Sequence, residues 1–267
     1  MDNANTTDSP PEFGHLLARA YSRHWNDHSR AMVGNLKKIA TRFGFAYRRV
    51  ADLACGEGTF ALGVARDGHE VIGIDLSADM LQIARKQESD IRRRGVPLDG
   101  TVTWLRQDMR ELSLPQPVDV VTCWYNSLNY LTEQDDLRMA FRAVRNALVP
   151  GGMFLFDVYT TTGLSVEWTD KVWIAVDTEE CFVTSRTRYH EAERLATVHF
   201  TGFVRNGDEY ARFDETHHNR GYERRVIEMM LRDEGLEHIS TFTLPRMMKP
   251  ERDAHRLVML ARRTDIC

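Results

Sequence analysis

Residues 50–58, Val-Ala-Asp-Leu-Ala-Cys-Gly-Glu-Gly, and the run Val71-Ile-Gly-Ile-Asp75 constrain this chain more than any other stretch. A short apolar run that ends in an acid and then meets two glycines reads as a buried parallel strand emptying into a tight turn. The next helix is expected to begin near Thr59, and a second apolar strand ends in a carboxylate at Asp75. Strand, glycine turn, helix, strand, acid is the layout of a nucleoside site at the carboxyl edge of a doubly wound α/β sheet. Gly56 and Gly58 let the backbone approach a ligand where any Cβ would collide. Asp75 stands where one carboxylate can accept hydrogen bonds from both ribose hydroxyls. The ligand is therefore expected to contain adenosine.

Gly56-Glu-Gly58-Thr-Phe-Ala61 also satisfies the loose G-x-G-x-x-A pattern of dinucleotide sites, so the loop alone leaves NAD open. Charge argues the other way. Asp52 and Glu57 set two carboxylates beside the turn, where a pyrophosphate is repelled and a cationic amino-acid moiety welcomed. A third strand closes on Leu105-Arg-Gln-Asp108-Met109, an acid next to an apolar residue, which suits an adenine amine and its ring face. Val118-Asp-Val-Val-Thr-Cys123 and Leu148-Val-Pro-Gly151-Gly152-Met-Phe-Leu-Phe-Asp157 follow as the fourth and fifth strands.

This ordered series resembles the class I S-adenosylmethionine-dependent methyltransferases, over roughly residues 47–160 and again at the C-terminus. The resemblance implies a Rossmann-like, doubly wound, seven-stranded sheet, mostly parallel with an antiparallel last strand. It also implies S-adenosyl-L-methionine as methyl donor and S-adenosyl-L-homocysteine as product. By the same resemblance Asp52, Ala54, Gly56 and Gly58 surround the methionine end, and Asp75 takes the ribose with Leu76 against adenine. Asp108 and Met109 edge the adenine ring, and Cys123 begins the loop beneath the sulfonium. For the two strand-end acids the plainer alternative is a helix cap; for Met109 it is core.

The chain has 267 residues, room for one large α/β domain with an insertion. Its 35 basic and 39 acidic residues leave a net charge of −4, so no global basic field draws it to nucleic acid or anionic lipid. Arg92-Arg93-Arg94 is a local basic run at an expected helix end, where cations suit the helix dipole. Cys55, Cys123, Cys181 and Cys267 are scattered without a C-x-x-C pair, which argues against a structural zinc site and fits a reducing compartment. No metal is expected. Nothing approaches the ~20 apolar residues of a membrane span. The polar start, residues 1–11, lacks a signal-peptide core and is expected to be a mobile tail on a cytoplasmic protein.

Four regions follow from the pattern. After the tail, residues 12–46 hold two apolar stripes, one over Phe13, Leu16, Leu17, Ala20 and Tyr21, the other over Met32, Leu36, Ile39 and Phe43. These read as an N-terminal helical lid. Residues 47–158 and 221–267 form the donor-binding domain, with Ser77 as a helix N-cap and Thr132-Glu-Gln-Asp135 resembling a capping box. That helix is expected to stop at Pro150-Gly151-Gly152. Residues 159–220 change character, with strand-like runs over 171–177, 181–189, 195–204 and 209–216 and a hairpin signal at Asn206-Gly207-Asp208. An antiparallel β-sheet inserted there would overhang the catalytic edge as a substrate lid.

Three segments bear on the acceptor. Trp124-Tyr125-Asn126-Ser127-Leu128-Asn129-Tyr130 follows strand four, where the resembled family places part of its acceptor pocket. It departs from the N/D-P-P-Y/F motif of enzymes acting on nucleic-acid or protein amide nitrogens and looks like the D/N-S-L-N-Y version of small-molecule enzymes. Tyr125 and Asn126 are the pocket candidates. Tyr21, in Ala20-Tyr-Ser-Arg-His-Trp25, is similar to a tyrosine that small-molecule N-methyltransferases hold near the donor; it also falls on the apolar stripe of its own helix. Phe213-Asp-Glu215-Thr-His217-His218 resembles the F-x-E-x-H element of amino-sugar N-methyltransferases. Alternation puts Glu215 and His217 on one face, where they could bind an ammonium group and remove its proton. The alternatives are an ordinary salt-linked pair, or a metal site completed by His218. His199 reads as a structural histidine.

The expected activity is methyl transfer to an amine, or to a hydroxyl, of a small molecule by in-line displacement. Catalysis would come mainly from proximity and orientation, with Tyr21, Glu215 and His217 as catalytic candidates. The rivals are a non-catalytic donor-binding protein, a nucleic-acid methyltransferase and an NAD-dependent oxidoreductase. The acceptor's identity and the oligomeric state stay open.

Overall fold

The computed structural model describes residues 13–25, 27–251 and 253–264; the expected tail over residues 1–11 and Cys267 lie outside them. Helices α1 (His15–His24) and α2 (Asp27–Phe43) precede strand β1 (Arg49–Leu53). An alternating series follows: α3 (Thr59–Arg66), β2 (Glu70–Asp75), α4 (Ala78–Arg93), β3 (Thr101–Arg106), β4 (Val118–Cys123), α5 (Gln134–Ala147) and β5 (Leu148–Tyr159). After the short α6 (Thr161–Glu167) come four strands, β6 (Lys171–Asp177), β7 (Cys181–His190), β8 (Leu195–Asn206) and β9 (Glu209–Arg220). Helix α7 (Arg224–Asp233) and strands β10 (Leu236–Phe242) and β11 (Arg256–Arg263) complete the chain.

The main sheet has seven strands in the order β10-β11-β5-β4-β1-β2-β3. Neighbours from β3 to β5 pair in parallel, and only β11 runs against the rest, antiparallel to both β5 and β10. The chain order reverses between β1 and β4, which opens a crevice at the carboxyl ends of those strands. Period-two alternation splits the apolar residues between two cores. Ala51, Leu53, Phe154, Phe156, Leu257 and Met259 face α5 and α7. Val50, Val120, Met153, Leu155, Val258 and Leu260 face α2 and α3.

The four inserted strands form a separate antiparallel sheet in the order β6-β7-β8-β9. Gly207, at φ +67°, turns the β8–β9 hairpin between the paired residues Asn206 and Glu209. A third, small core joins this sheet to α1, with Leu17 and Ala20 against Val176, Val183, Val204 and Phe213. The two N-terminal helices therefore separate: α1 packs on the inserted sheet, whereas α2 is built into the main domain.

Several local expectations change. Helix α5 starts at Gln134 with Glu133 as N-cap and no side-chain capping bond, so the capping box at Thr132 does not form. The same helix ends at Ala147, three residues before the proline; Pro150-Gly151-Gly152 instead lies inside β5, where the pairing with β4 slips register. Strand β9 runs on to Arg220, four residues past the strand-like run expected over 209–216, and α7 begins at Arg224. Ser77 caps α4 as expected, its Oγ accepting from the amide of Met80.

Candidate functional site

A cavity of about 430 Å³ opens at the carboxyl edge of the main sheet, between β1, β2 and β4 and the inserted sheet. Its size lies in the range of small-molecule sites. One end is lined by Ala54, Gly56, Asp75, Leu76, Asp108 and Met109, and the other by Tyr159, Trp168, Trp173, Ser185, Phe200 and Arg256. Tyr21, Tyr125 and Asn126 line it as well.

At the first end the turn after β1 is shaped by backbone conformations that most residues avoid. Ala54 has φ +52° and Gly56 φ +56°, and a Cβ on Gly56 would meet open space, so that glycine bares the backbone to the cavity. Gly58 answers to a different need. A Cβ there would lie 2.5 Å from the Trp104 ring, so Gly58 makes room for packing, and it does not line the cavity. Asp75 closes β2, and its two carboxylate oxygens accept from the amides of Gly56 and Ser77, both at 2.8 Å. Those bonds fix its rotamer at the cavity edge. Asp108 caps the turn after β3 by accepting from the Arg110 amide and also pairs with the Arg110 guanidinium at 2.7 Å. It is thus both a cap and a cavity residue. Leu76 and Met109 supply apolar surface beside it.

Behind this surface lies a cluster of carboxylates. Asp52 is buried, accepts from Thr122 Oγ1 at 2.9 Å, and is pushed up to about 8, chiefly by burial, with Asp75 and Glu57 adding to the rise. Glu57 is buried under bonds from Thr59 and Gln87, and burial raises its pKa too. Both acids are thus disposed to hold a proton, and a cation placed near them would favour their charged forms. Neither acid lines the cavity, and neither does Cys123, whose thiol burial pushes well above its usual range. Cys55 is raised in the same way, so neither thiol is a ready nucleophile. This end of the cavity thus brings together a fixed carboxylate, bare backbone and a flat apolar edge.

The loop after β4 carries the acceptor candidates. Tyr125 and Asn126 both have positive φ, +61° and +53°. Asparagine tolerates that region; a tyrosine does not unless its surroundings hold it there. The holding groups are visible. Asp157 accepts from the Asn126 amide at 3.2 Å. Asn129 donates to the carbonyls of Tyr159 and Arg220, at 3.0 and 2.6 Å, and accepts from the Tyr159 amide. The Arg256 guanidinium, salt-bridged through Nε to Asp157, lies over the rings of Tyr125 and Tyr159 at 5.3 and 5.4 Å. Tyr21 meets Tyr125 edge-on at 6.0 Å, and burial raises its phenol well above the usual range, so it stays a proton donor.

Glu215 and His217 share a face, as alternation requires, and pair at 3.2 Å, but the structure does not bring them to the cavity. Phe13, Tyr130 and Phe200 stand between, each ring against the His217 imidazole and each lining the cavity. His218 points to the opposite face and meets Thr197, so it cannot complete a metal site with them. His199 is on that outer face as well, bonded to Thr216 and near Asp214. Among the described residues no group of three or more His, Cys, Asp or Glu is placed to hold a metal ion. Arg92 and Arg93 pair with Glu88 and Asp90 of their own helix.

Sequence reasoning missed Arg256 and its partner Asp157. A signal was present: strand five ends in an acid, and an antiparallel neighbour starting with arginine must return to the same edge. Pairing of Val258 with Asp157 and of Arg256 with Tyr159 shows that return. The aromatic wall of Phe13, Tyr159, Trp168, Trp173 and Phe200 had no such signal, because its members come from elements far apart in the chain.

Comparison with known proteins agrees with this geometry. A family profile described as a methyltransferase domain matches residues 50–152. The chain is 33% identical over 191 residues to YqeM of Bacillus subtilis, assigned to the methyltransferases, covering 71% of this chain and 73% of that protein. The structure is similar to an S-adenosylmethionine-dependent methyltransferase from Clostridium acetobutylicum, with TM-score 0.78 and 26% identity over 94% of this chain and 98% of the other. It also shares its fold with KedS8 of Streptoalloteichus, a sugar N-methyltransferase, with TM-score 0.75 and 17% identity over 99% of both chains.

Proposed function

Because the chain belongs to the S-adenosylmethionine-dependent methyltransferases, we propose that it methylates an amine nitrogen of a small molecule held beneath the inserted sheet. The observation that carries this reading is the two-part cavity. A donor end lined by Asp75, Gly56, Asp108 and Met109 continues into an aromatic chamber under β6–β8, with Tyr21 and Tyr125 also on its wall. The chamber suits a compact ring-bearing acceptor rather than a polymer, in keeping with the acidic net charge of −4. KedS8, which shares the fold, acts on a sugar nitrogen.

When bound, the donor supplies an electrophilic methyl group on a sulfonium. The chain's own residues do the rest. Asp75 takes the ribose, Leu76 and Met109 the adenine faces, Asp108 the adenine amine, and Ala54 and Gly56 the methionine end; the cation there favours the charged forms of Asp52 and Glu57 behind it. Tyr21 and Tyr125 narrow the passage and exclude water, and Tyr125, Asn126 and Arg256 orient the acceptor. Proximity of this kind is worth up to about 7–11 kcal/mol in favourable systems. Among the described residues that line the cavity there is no histidine, the tyrosines are held protonated by burial, and Glu167 at the acceptor end is bonded to His255 at 2.8 Å. A neutral amine attacks without a strong base, whereas a hydroxyl needs one, and this favours nitrogen. Multiple-turnover formation of S-adenosylhomocysteine with a panel of amino sugars and other small amines is the test. Turnover with hydroxyl acceptors alone would overturn the amine reading, and turnover with nucleic acid alone would overturn the small-molecule one.

A further inference from the structure

Glu215 lies one layer behind the cavity, yet it touches a segment that runs between the donor end and the inserted sheet. That segment is Phe13–Gly14, immediately before α1. Gly14 is the N-cap of α1, no side chain of its own caps the helix, and the first turn contains no acidic residue. The amide of Gly14 instead donates to Glu215 Oε2 at 3.2 Å, so β9 supplies from outside the negative charge that the start of α1 lacks. The fit is close: a Cβ on Gly14 would lie 2.7 Å from Glu215 Oε1. His217, fully buried, holds that carboxylate through Nε2 at 3.2 Å and presents its ring to Phe13 at 4.9 Å.

The other side of the same segment is tied to the donor end. Ser77 Oγ donates to the Phe13 carbonyl at 2.9 Å, and the Ser77 amide donates to Asp75 Oδ1 at 2.8 Å. A continuous run of hydrogen bonds thus leads from the ribose-side acid, through Ser77 and Phe13–Gly14, to Glu215 of the inserted sheet. Helix α1 has only ten residues, too few to be stable alone, so its placement depends on such contacts. Leu17 and Tyr21 of that helix line the cavity.

We propose that Glu215 is a positioning residue for methyl transfer: by clasping Gly14 it seats α1, and with it Tyr21, over the donor. His217 orients the clasp. The inference concerns the donor end alone and does not depend on which acceptor nitrogen or oxygen is methylated.

The test needs no acceptor. Affinity for S-adenosylhomocysteine is measured by calorimetry on the full chain, and amide hydrogen exchange is followed over residues 15–24. Glu215→Ala is expected to weaken the product's binding about tenfold, the loss of roughly one charge-assisted hydrogen bond, and to speed exchange across α1. Glu215→Gln keeps an acceptor for the Gly14 amide and is expected to recover most of the affinity. Gly14→Ala, which pushes a methyl group into an intact Glu215, is expected to reproduce the alanine phenotype. The double variant should then be no worse than either single one, as coupled partners require. Should Glu215→Ala fail to fold, Gly14→Ala alone carries the test. Unchanged affinity and exchange in these variants would overturn the proposal. So would full additivity in the double variant.

Discussion

Asp52 sits beneath the glycine turn with its carboxyl buried and bonded by Thr122, and burial pushes its pKa to about 8. The unfolded value is about 4, so the native state holds a proton that the unfolded chain releases between about pH 4 and 8. Over that window rising pH makes folding less favourable through this group. A sulfonium nearby favours the ionised carboxylate, so donor binding should release a proton and tighten as pH rises from about 6 to 8. Calorimetry in buffers of different ionisation enthalpy reads that release directly, and Asp52→Asn should abolish it. At Asp75 the expectation is larger. Loss of two hydrogen bonds to a charged acceptor, at roughly 1.5 kcal/mol or more each, should weaken the donor on the order of 100-fold in Asp75→Ala; equal affinity would show that the ribose lies elsewhere. Arg256→Lys keeps the charge but not the planar stack over Tyr125 and Tyr159. It should lower kcat/KM for the acceptor about tenfold and leave donor affinity within about twofold.

Among the elements, the turn between β1 and α3 divides its work between two glycines. Gly58→Ala drives a methyl group into Trp104 at a φ of +84°, so a stability loss of about 2–4 kcal/mol is expected in urea denaturation. Gly56→Ala faces open space, so its stability cost should stay near the ~1–2 kcal/mol of a left-handed alanine, while donor affinity falls sharply. The pattern G-x-G made the turn legible but could not assign those separate tasks, because Trp104 arrives from β3. The loop after β4 is a similar case. Its residues were picked out by type and position; the left-handed Tyr125 and the Asp157–Arg256 brace that supports it depend on β5 and β11 lying side by side.

Across the whole molecule three cores cooperate: one on each face of the main sheet, and a third that seats α1 on the inserted sheet. A donor seated as proposed would touch residues of all three layers, so its binding should stabilise the fold as a unit. At 100 times Kd the linkage is about 2.7 kcal/mol, which for a chain of this size raises Tm by roughly 5–10 °C. Differential scanning with S-adenosylmethionine and, separately, NAD checks this. A shift with NAD alone would return the chain to dinucleotide chemistry. Among the described residues no helix is long and apolar enough to cross a membrane.

The succession of strands along the chain, the glycine turn with its strand-end acids, and the inserted sheet could be read from the chain itself, since each is written locally: apolar runs of period two or 3.6, glycines at turns, acids at strand ends. Contacts between distant segments obey no local rule. Glu215 and His217 match a motif in sequence, yet packing of Phe13, Tyr130 and Phe200 sets them behind the cavity wall. Helices α1 and α2 show the same kind of apolar stripe, yet one joins the inserted sheet and the other the main core. Amphipathic periodicity says that a face will be buried; only the folded chain decides against what.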